Sequence, residues 1–203
     1  MLPHLGHSIL GTAICGHIII PEGVTKLGKG SFLNCINLTN ITIAESITYI
    51  DDYAFRGCDK LTSIHINNLQ SWYNIYFVSY DSNPLYFGRN LYENYELVTN
   101  IVIPQEIKRI NRYSFTNCIN LLSIYIPNNV TAIEGWAFKY CSNLMSITIH
   151  DSVTSIGSEA FDYCTNLTDI YFTGTEKEWA AISKENANIP SNATIHYNYV
   201  PEN

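Results

Sequence analysis

The chain has 203 residues, 46% of them hydrophobic and 14% charged, a composition that excludes a disordered polymer and allows one or two folded domains. Its 18 acidic and 11 basic residues give a formal net charge of −7, which repels phosphate backbones and argues against nucleic acid as a partner. No run of eighteen apolar residues occurs, so neither a spanning helix nor membrane insertion by this chain is expected. The opening Met1 to His7 lacks a basic region followed by an apolar run and does not read as a signal peptide.

A 23-residue period organises the rest. A partial unit, 9–20, places Ile9, Thr12, Cys15, Ile18 and Ile20 in phase with the full units after it. Units 21–43 and 44–66 then show the full pattern. Val24 and Leu27, matched by Ile47 and Ile50, open each unit. Phe32, Cys35 and Leu38, matched by Phe55, Cys58 and Leu61, come next at steps of three. The isoleucine pairs Ile41/Ile43 and Ile64/Ile66 close them. Residues 67–91 break the period with an aromatic insertion that includes Trp72, Tyr73, Tyr76, Phe77, Tyr80 and Tyr86. A second partial unit, 92–103, puts Tyr92, Tyr95, Val98, Ile101 and Ile103 at the Phe, Cys, Leu, Ile and Ile positions. Units 104–126, 127–149 and 150–172 resume the pattern, with Cys118, Cys141 and Cys164 in phase.

Residues 173–203 are expected to cap the C-terminal end of the array. Thr175-Glu-Lys-Glu-Trp179 reads as a helix start, with Thr175 as N-cap and Glu178 three residues on. Trp179 and Ile182 repeat the spacing of Trp72 and Ile75, so a run of coils followed by a tryptophan module occurs twice. The mid-chain module is read as a packed hairpin that lets a single solenoid run over 1–203, in preference to a hinge between two shorter ones, because 92–103 resumes the pattern at once.

The pattern is Pro-x-x-Val-x-x-Ile-x-x-x-x-Phe-x-x-Cys-x-x-Leu-x-x-Ile-x-Ile. Its end alternates with period two in β-branched residues and predicts a short strand. The Val-Thr-x-Ile segment predicts a second, shorter sheet in which Thr25, Thr48, Thr131 and Thr154 stack as a polar ladder interrupted by Lys108. The Phe-x-x-Cys-x-x-Leu spacing predicts a short 3₁₀ or irregular helical turn. One such unit buries too little to fold alone, and stacking joins the apolar positions of neighbours into a continuous core. The fold class is therefore a repeat solenoid of short parallel β-strands, turns and short helical segments. Residues between the paired isoleucines, Thr42, His65, Tyr125, Thr148 and Tyr171, are expected to face solvent.

Ile126-Pro-Asn-Asn-Val-Thr-Ala-Ile-Glu-Gly-Trp-Ala-Phe138-Lys-Tyr-Cys141-Ser-Asn-Leu144 resembles the BspA-type leucine-rich repeat, and the resemblance covers nearly the whole chain. It departs locally, with Ala44 and His150 in place of Pro. The resemblance implies the right-handed superhelix of leucine-rich repeats and a cell-surface or secreted protein of bacteria or parasitic protists that takes part in adhesion. A protein or glycan ligand, such as host matrix or another cell surface, is implied in the same way.

Competing motifs are weaker. Gly23 to Gly30 nearly matches a phosphate-binding loop, but Val24 and Leu27 are core positions of the repeat and no long helix follows. The phase of the cysteines marks them as buried free thiols acting as small hydrophobes, with no histidine recurring nearby to make a nucleophile. His4 and His7 lie close to the terminus and the other four histidines fall in different coils or faces, so no metal site, cofactor or catalytic residue is expected. An enzyme built on the insertion would have only Asp81, Arg89, Glu93 and Glu96, without recognisable spacing. The expected function is non-enzymatic protein or glycan binding, with a structural spacer as the alternative. The contact residues expected from exposed strand positions are Tyr125, Tyr171, His65, Thr148 and Thr42, joined by Tyr80 and Tyr86 of the insertion.

Overall fold

A computed structural model describes residues 16–88 and 90–201. Residues 9–15 of the first partial unit, Cys15 among them, and Arg89 lie outside the described residues. The chain divides into two compact units, residues 16–98 with Thr116–Cys118, and Thr99–Phe115 with residues 119–201.

In the first unit the strands at the unit ends are β1 (Gly16–Ile19), β3 (Leu38–Thr42), β5 (Ser63–Ile66) and β7 (Asn90–Glu93). They pair in parallel, in that order, into one sheet. The Val-Thr-x-Ile segments form the expected second sheet from two-residue strands, β2 (Lys26–Leu27), β4 (Tyr49–Ile50) and β6 (Tyr76–Phe77). Its threonine ladder is present, with Thr48 Oγ1 donating to the Thr25 carbonyl at 3.3 Å.

The aromatic insertion is a coil rather than a hairpin. Phe77 pairs with Ile50, and Leu91 with Ile64. Both steps are 27 residues, four more than the repeat. The extra length falls between Ile64 and Phe77, where helix α1 (Leu69–Tyr73) lies, and a 3₁₀ turn at Tyr80–Ser82 and helix α2 (Leu85–Gly88) fill the stretch after it, which keeps the repeat's length. Asn68 caps α1, accepting from the Gln70 backbone N–H at 2.7 Å, and Trp72 lies fully buried with its ring 5.4 Å from that of Phe77. The four-residue shift changes the reading of 92–103. Tyr92 sits in β7 on the sheet, and Tyr95 is 87% exposed. Only Val98, Ile101 and Ile103 keep the expected buried phase. Asn94 and Tyr95 both have positive φ and turn the chain into β8 (Glu96–Leu97), antiparallel to β7. That is the two-residue hairpin turn whose twist matches the strands it joins.

In the second unit, β9 (Asn100–Val102), β11 (Ser123–Ile126), β13 (Ser146–Ile149), β15 (Asp169–Phe172) and β16 (Thr194–His196) form a five-stranded parallel sheet in that order. The short sheet is β10 (Arg109–Ile110), β12 (Ala132–Ile133) and β14 (Ser155–Ile156). Thr131 and Thr154 donate to the carbonyls of Lys108 and Thr131, at 3.3 and 3.2 Å. Lys108 thus interrupts the hydroxyl row while its backbone stays in the ladder. Helix α3 (Glu176–Ala181) starts at the predicted cap. Thr175 Oγ1 accepts from the Glu178 N–H and the Glu178 carboxylate accepts from the Thr175 N–H. Trp179 meets Phe172 edge-on at 5.2 Å. Residues 183–187 lie on the last coil, with Ser183 donating to Thr154 and Phe161 to Ala187.

Inside each unit the repeat rows are buried as the spacing demands. Phe32 stacks on Phe55, and Phe115, Phe138 and Phe161 stack in turn, at 5.3 to 5.7 Å. Cys35, Cys58, Cys118, Cys141 and Cys164 are free and buried. Cys58, Cys141 and Cys164 each donate a thiol hydrogen bond at 3.1 Å to the carbonyl of the phenylalanine one coil back. Burial pushes the thiols of Cys58 and Cys164 up to about 12, so these groups are protonated packing residues.

The Phe-x-x-Cys-x-x-Leu segments are successive i to i+3 turns, with Cys35 bonded to Phe32 and Leu38 to Cys35. They do not merge into a 3₁₀ helix because each coil places two residues, four apart, at positive φ. The first position is Gly30, Tyr53, Tyr113, Trp136 and Glu159, and the second is Asn34, Gly57, Asn117, Tyr140 and Tyr163.

Candidate functional site

Strand alternation sends every second residue of each long sheet away from the core. In the first unit this creates an in-register row of Ile19, Thr42, His65 and Tyr92. The His65 ring stacks on Tyr92 at 4.9 Å and lies 5.8 Å from the His17 ring, whose Nε2 is 2.8 Å from Thr42 Oγ1. Thr42 and His65 are half-buried rather than open to solvent, because the side chains lie along the row and cover one another. Partial burial, then the nearby His17, lowers the His65 pKa from its ordinary value, so the ring is neutral at neutral pH.

In the second unit the row is Val102, Tyr125, Thr148, Tyr171 and His196. Tyr171 stacks on His196 and packs against Tyr199, both at 4.7 Å. His196 Nε2 is 2.8 Å from Asp169 Oδ1. That hydrogen bond, followed by one from Thr168, holds the Asp169 carboxyl below its ordinary range. Val102 is 70% exposed and Ile19 66%, so each row carries a solvent-facing aliphatic group at its first strand. Tyr125, Thr148 and Tyr171 are half-buried for the same reason as Thr42 and His65.

Five of the seven residues expected from the sequence therefore fall into two rows, Thr42 with His65, and Tyr125, Thr148 and Tyr171 together. Tyr80 and Tyr86 lie outside both rows. They sit on the 3₁₀ turn and α2, packed on each other at 4.8 Å, with Tyr80 the more exposed. The spacing missed Tyr92, His196 and Tyr199. A 27-residue step from His65 to Tyr92 and a 25-residue step from Tyr171 to His196 would have found two of them.

Of the carboxylates weighed as enzymatic groups, Asp81 and Glu93 are engaged in structure and Glu96 is exposed on β8. Asp81 is buried with Ser79 Oγ at 2.7 Å, and Glu93 accepts the Leu69 N–H at 2.7 Å. Val24 and Leu27 of the glycine-rich segment are buried. Among the described residues, no group of three or more His, Cys, Asp or Glu side chains is placed to hold a metal ion. None of the described helices is long and apolar enough to cross a membrane.

The model of the BspA type leucine rich repeat region matches residues 11–84 and 85–200, in six copies. The chain belongs to the BspA-type leucine-rich repeat family. Comparison of this BspA-type chain with the curated proteins finds no match. Among solved structures, a leucine-rich repeat protein from Bacteroides ovatus ATCC 8483 is 22% identical, with a TM-score of 0.51, over 90% of this chain and 42% of that one. This likeness agrees on the solenoid fold. A leucine rich cell surface protein from Faecalibacterium prausnitzii A2-165 is 25% identical, with a TM-score of 0.40, over 85% of this chain and 63% of that one. The BspA-type chain thus spans less than two thirds of either protein.

Proposed function

We propose that this BspA-type repeat module is a non-enzymatic binding element of a bacterial cell-surface or secreted protein, and that it holds a protein or glycan ligand on the outward rows of its long sheets. The observation that carries the reading is the row Tyr125, Thr148, Tyr171 and His196. The Tyr171 ring is ordered by its contacts with His196 and Tyr199 before any ligand arrives, so little of its side-chain entropy is lost on binding. Tyrosine offers a large amphipathic surface at low entropic cost, which suits recognition. Family membership and the cell-surface description of the Faecalibacterium protein support the location.

The test compares the chain with a Tyr125→Ala, Tyr171→Ala double variant on immobilised host matrix proteins and on a glycan array. Loss of binding by about tenfold or more, with a nearly unchanged melting temperature, is expected. A large fall in melting temperature would make these tyrosines structural. Absence of any binding by the parent chain would favour a spacer that displays other domains.

A further inference from the structure

The turn face of the second unit carries more aromatic residues than that of the first. Left-handed backbone costs a side-chain-bearing residue roughly 1–2 kcal/mol, and glycine or asparagine relieves that strain. The repeat uses that solution at Gly30, Asn34, Gly57 and Asn117. In the second unit four of these positions hold aromatic residues, Tyr113 (φ 67°), Trp136 (62°), Tyr140 (65°) and Tyr163 (58°), and one holds Glu159, whereas the first unit has a single aromatic there, Tyr53. A bulky residue held in this region is an outlier that the surrounding structure must enforce, and such outliers cluster at ligand sites.

These rings are also fixed in place. Tyr140 stacks on Tyr163 at 4.8 Å, and Tyr113 meets Trp136 edge-on at 5.8 Å. The Lys139 ammonium lies 3.9 Å from the centre of the Trp136 ring, 5.1 Å from Tyr140 and 5.6 Å from Tyr163. It also binds the carboxylates of Glu159 and of Asp162, the latter at 2.7 Å. Lys139 is only 5% exposed. Burial works against its charge, yet the hydrogen bonds to Asp162 and Glu159 outweigh that and raise its pKa. The result is a rigid aromatic wall whose nearby acids are already paired.

Tyr163 is 58% exposed and forms one side of an open cleft of about 370 Å³. The other side is the C-terminal segment, with Asn188, Pro190, Ser191 and Asn192. The side-chain amides of Asn188 and Asn192 are exposed and make no hydrogen bond among the described residues. An exposed ring facing amides and a hydroxyl, with no free charge, matches an uncharged ligand that has one apolar face and an edge of hydroxyl groups.

We propose that this cleft binds an uncharged saccharide, with a pyranose ring stacked on Tyr163 and its hydroxyls bonded to the side chains of Asn188 and Asn192. The site is separate from the sheet rows and stands whether or not they bind a partner. The cleft volume lies at the low end for ligand pockets, which suits one or two sugar rings. Lys139 is a positioning residue, since it holds Tyr140 and Tyr163 without facing the ligand.

The test titrates the isotope-labelled chain with cellobiose, lactose and N,N′-diacetylchitobiose and follows backbone amides by NMR. Saturable millimolar binding of at least one sugar is expected, with shifts centred on residues 161–165 and 188–192. Tyr163→Asn should weaken it by about tenfold or more, because the stacking platform is lost. The same change should leave the melting temperature equal or higher, since Asn34 and Asn117 show that asparagine fits this position. Binding should survive in the Tyr125→Ala, Tyr171→Ala double variant. No saturable shift with any of the three sugars, or unchanged binding by Tyr163→Asn, overturns the proposal.

Discussion

Trp72 and Trp179 begin alike and end differently. Each lies on a one- to two-turn helix that comes after a long-sheet strand, α1 after β5 and α3 after β15. Each packs against a phenylalanine of the core, Phe77 at 5.4 Å and Phe172 at 5.2 Å. In each case the chain then returns to its sheet after more than 23 residues, 27 from Ile64 to Leu91 and 25 from Ile170 to Ile195. The tryptophan module is thus a way of building one enlarged coil, in the middle of the chain as well as at its end. The units part company after that coil. The first closes its sheet with the hairpin of β7 and β8. The second lays residues 183–187 on its last coil and ends its sheet with β16, where His196 bonds Asp169. An edge strand invites pairing with other chains, and the two units present different ones at these ends, antiparallel β8 in the first and parallel β16 in the second.

The comparison breaks most sharply at the tryptophans themselves. Truncating a buried large aromatic costs about 3–5 kcal/mol. Trp72 is completely enclosed while Trp179 keeps 8% of its surface in solvent. Trp72→Ala is therefore expected to lower the urea midpoint more than Trp179→Ala. Equal losses would mean that the exposed edge of Trp179 carries as much packing as the enclosed ring, and that the two coils are equally tight.

A smaller effect separates the two helix starts. Thr175→Ala removes a reciprocal cap and should cost about 1 kcal/mol. Asn68→Ala removes the bond to the Gln70 N–H, but Glu93 still accepts from the neighbouring Leu69 N–H at 2.7 Å. The loss at Asn68 should accordingly be about half as large or less. Chemical denaturation of the two single variants checks the order, and a larger loss at Asn68 would show that the Glu93 contact does not compensate.

These cases also show where sequence reading succeeds. Phe, Cys, Leu and Ile recur at fixed spacing because coils of equal length must bury the same positions, so the core rows can be read directly. Thr175 and Glu178 are legible because a cap is a local contact three residues long. Spacing puts Tyr92 in the core because it carries no warning of a coil four residues longer, which shifts the phase. His196 is invisible as a row member because β16, Thr194–His196, lacks the Leu-x-x-Ile-x-Ile pattern. Tyr140 and Tyr163 give no sign of their left-handed backbone, since that conformation is normally announced by Gly or Asn. The inner rows are thus set by a shared volume constraint, and the outer residues are free to differ from coil to coil.

The faintest difference is expected at the edge of the second sheet, in acid. The hydrogen bond from His196, then that from Thr168, favours the charged form of Asp169 and holds its pKa below the ordinary 3.8. A group depressed in the folded state binds fewer protons there than in the unfolded chain, so its contribution is fully present above about 3.8 and fades as the pH falls through the folded value. The Asp169 side chain is partly open to solvent, so the stability change should be slight and best seen in the titration of its own carboxyl carbon. His196→Ala should move that titration back up towards 3.8. It should also loosen hydrogen-exchange protection in β16 while leaving β7 and β8, which end their sheet in a hairpin without such a pair, unchanged. An Asp169 carboxyl that titrates at its ordinary value in the parent chain would remove the bond from His196 as the fastener of this edge, and leave backbone pairing between β15 and β16 to hold it alone.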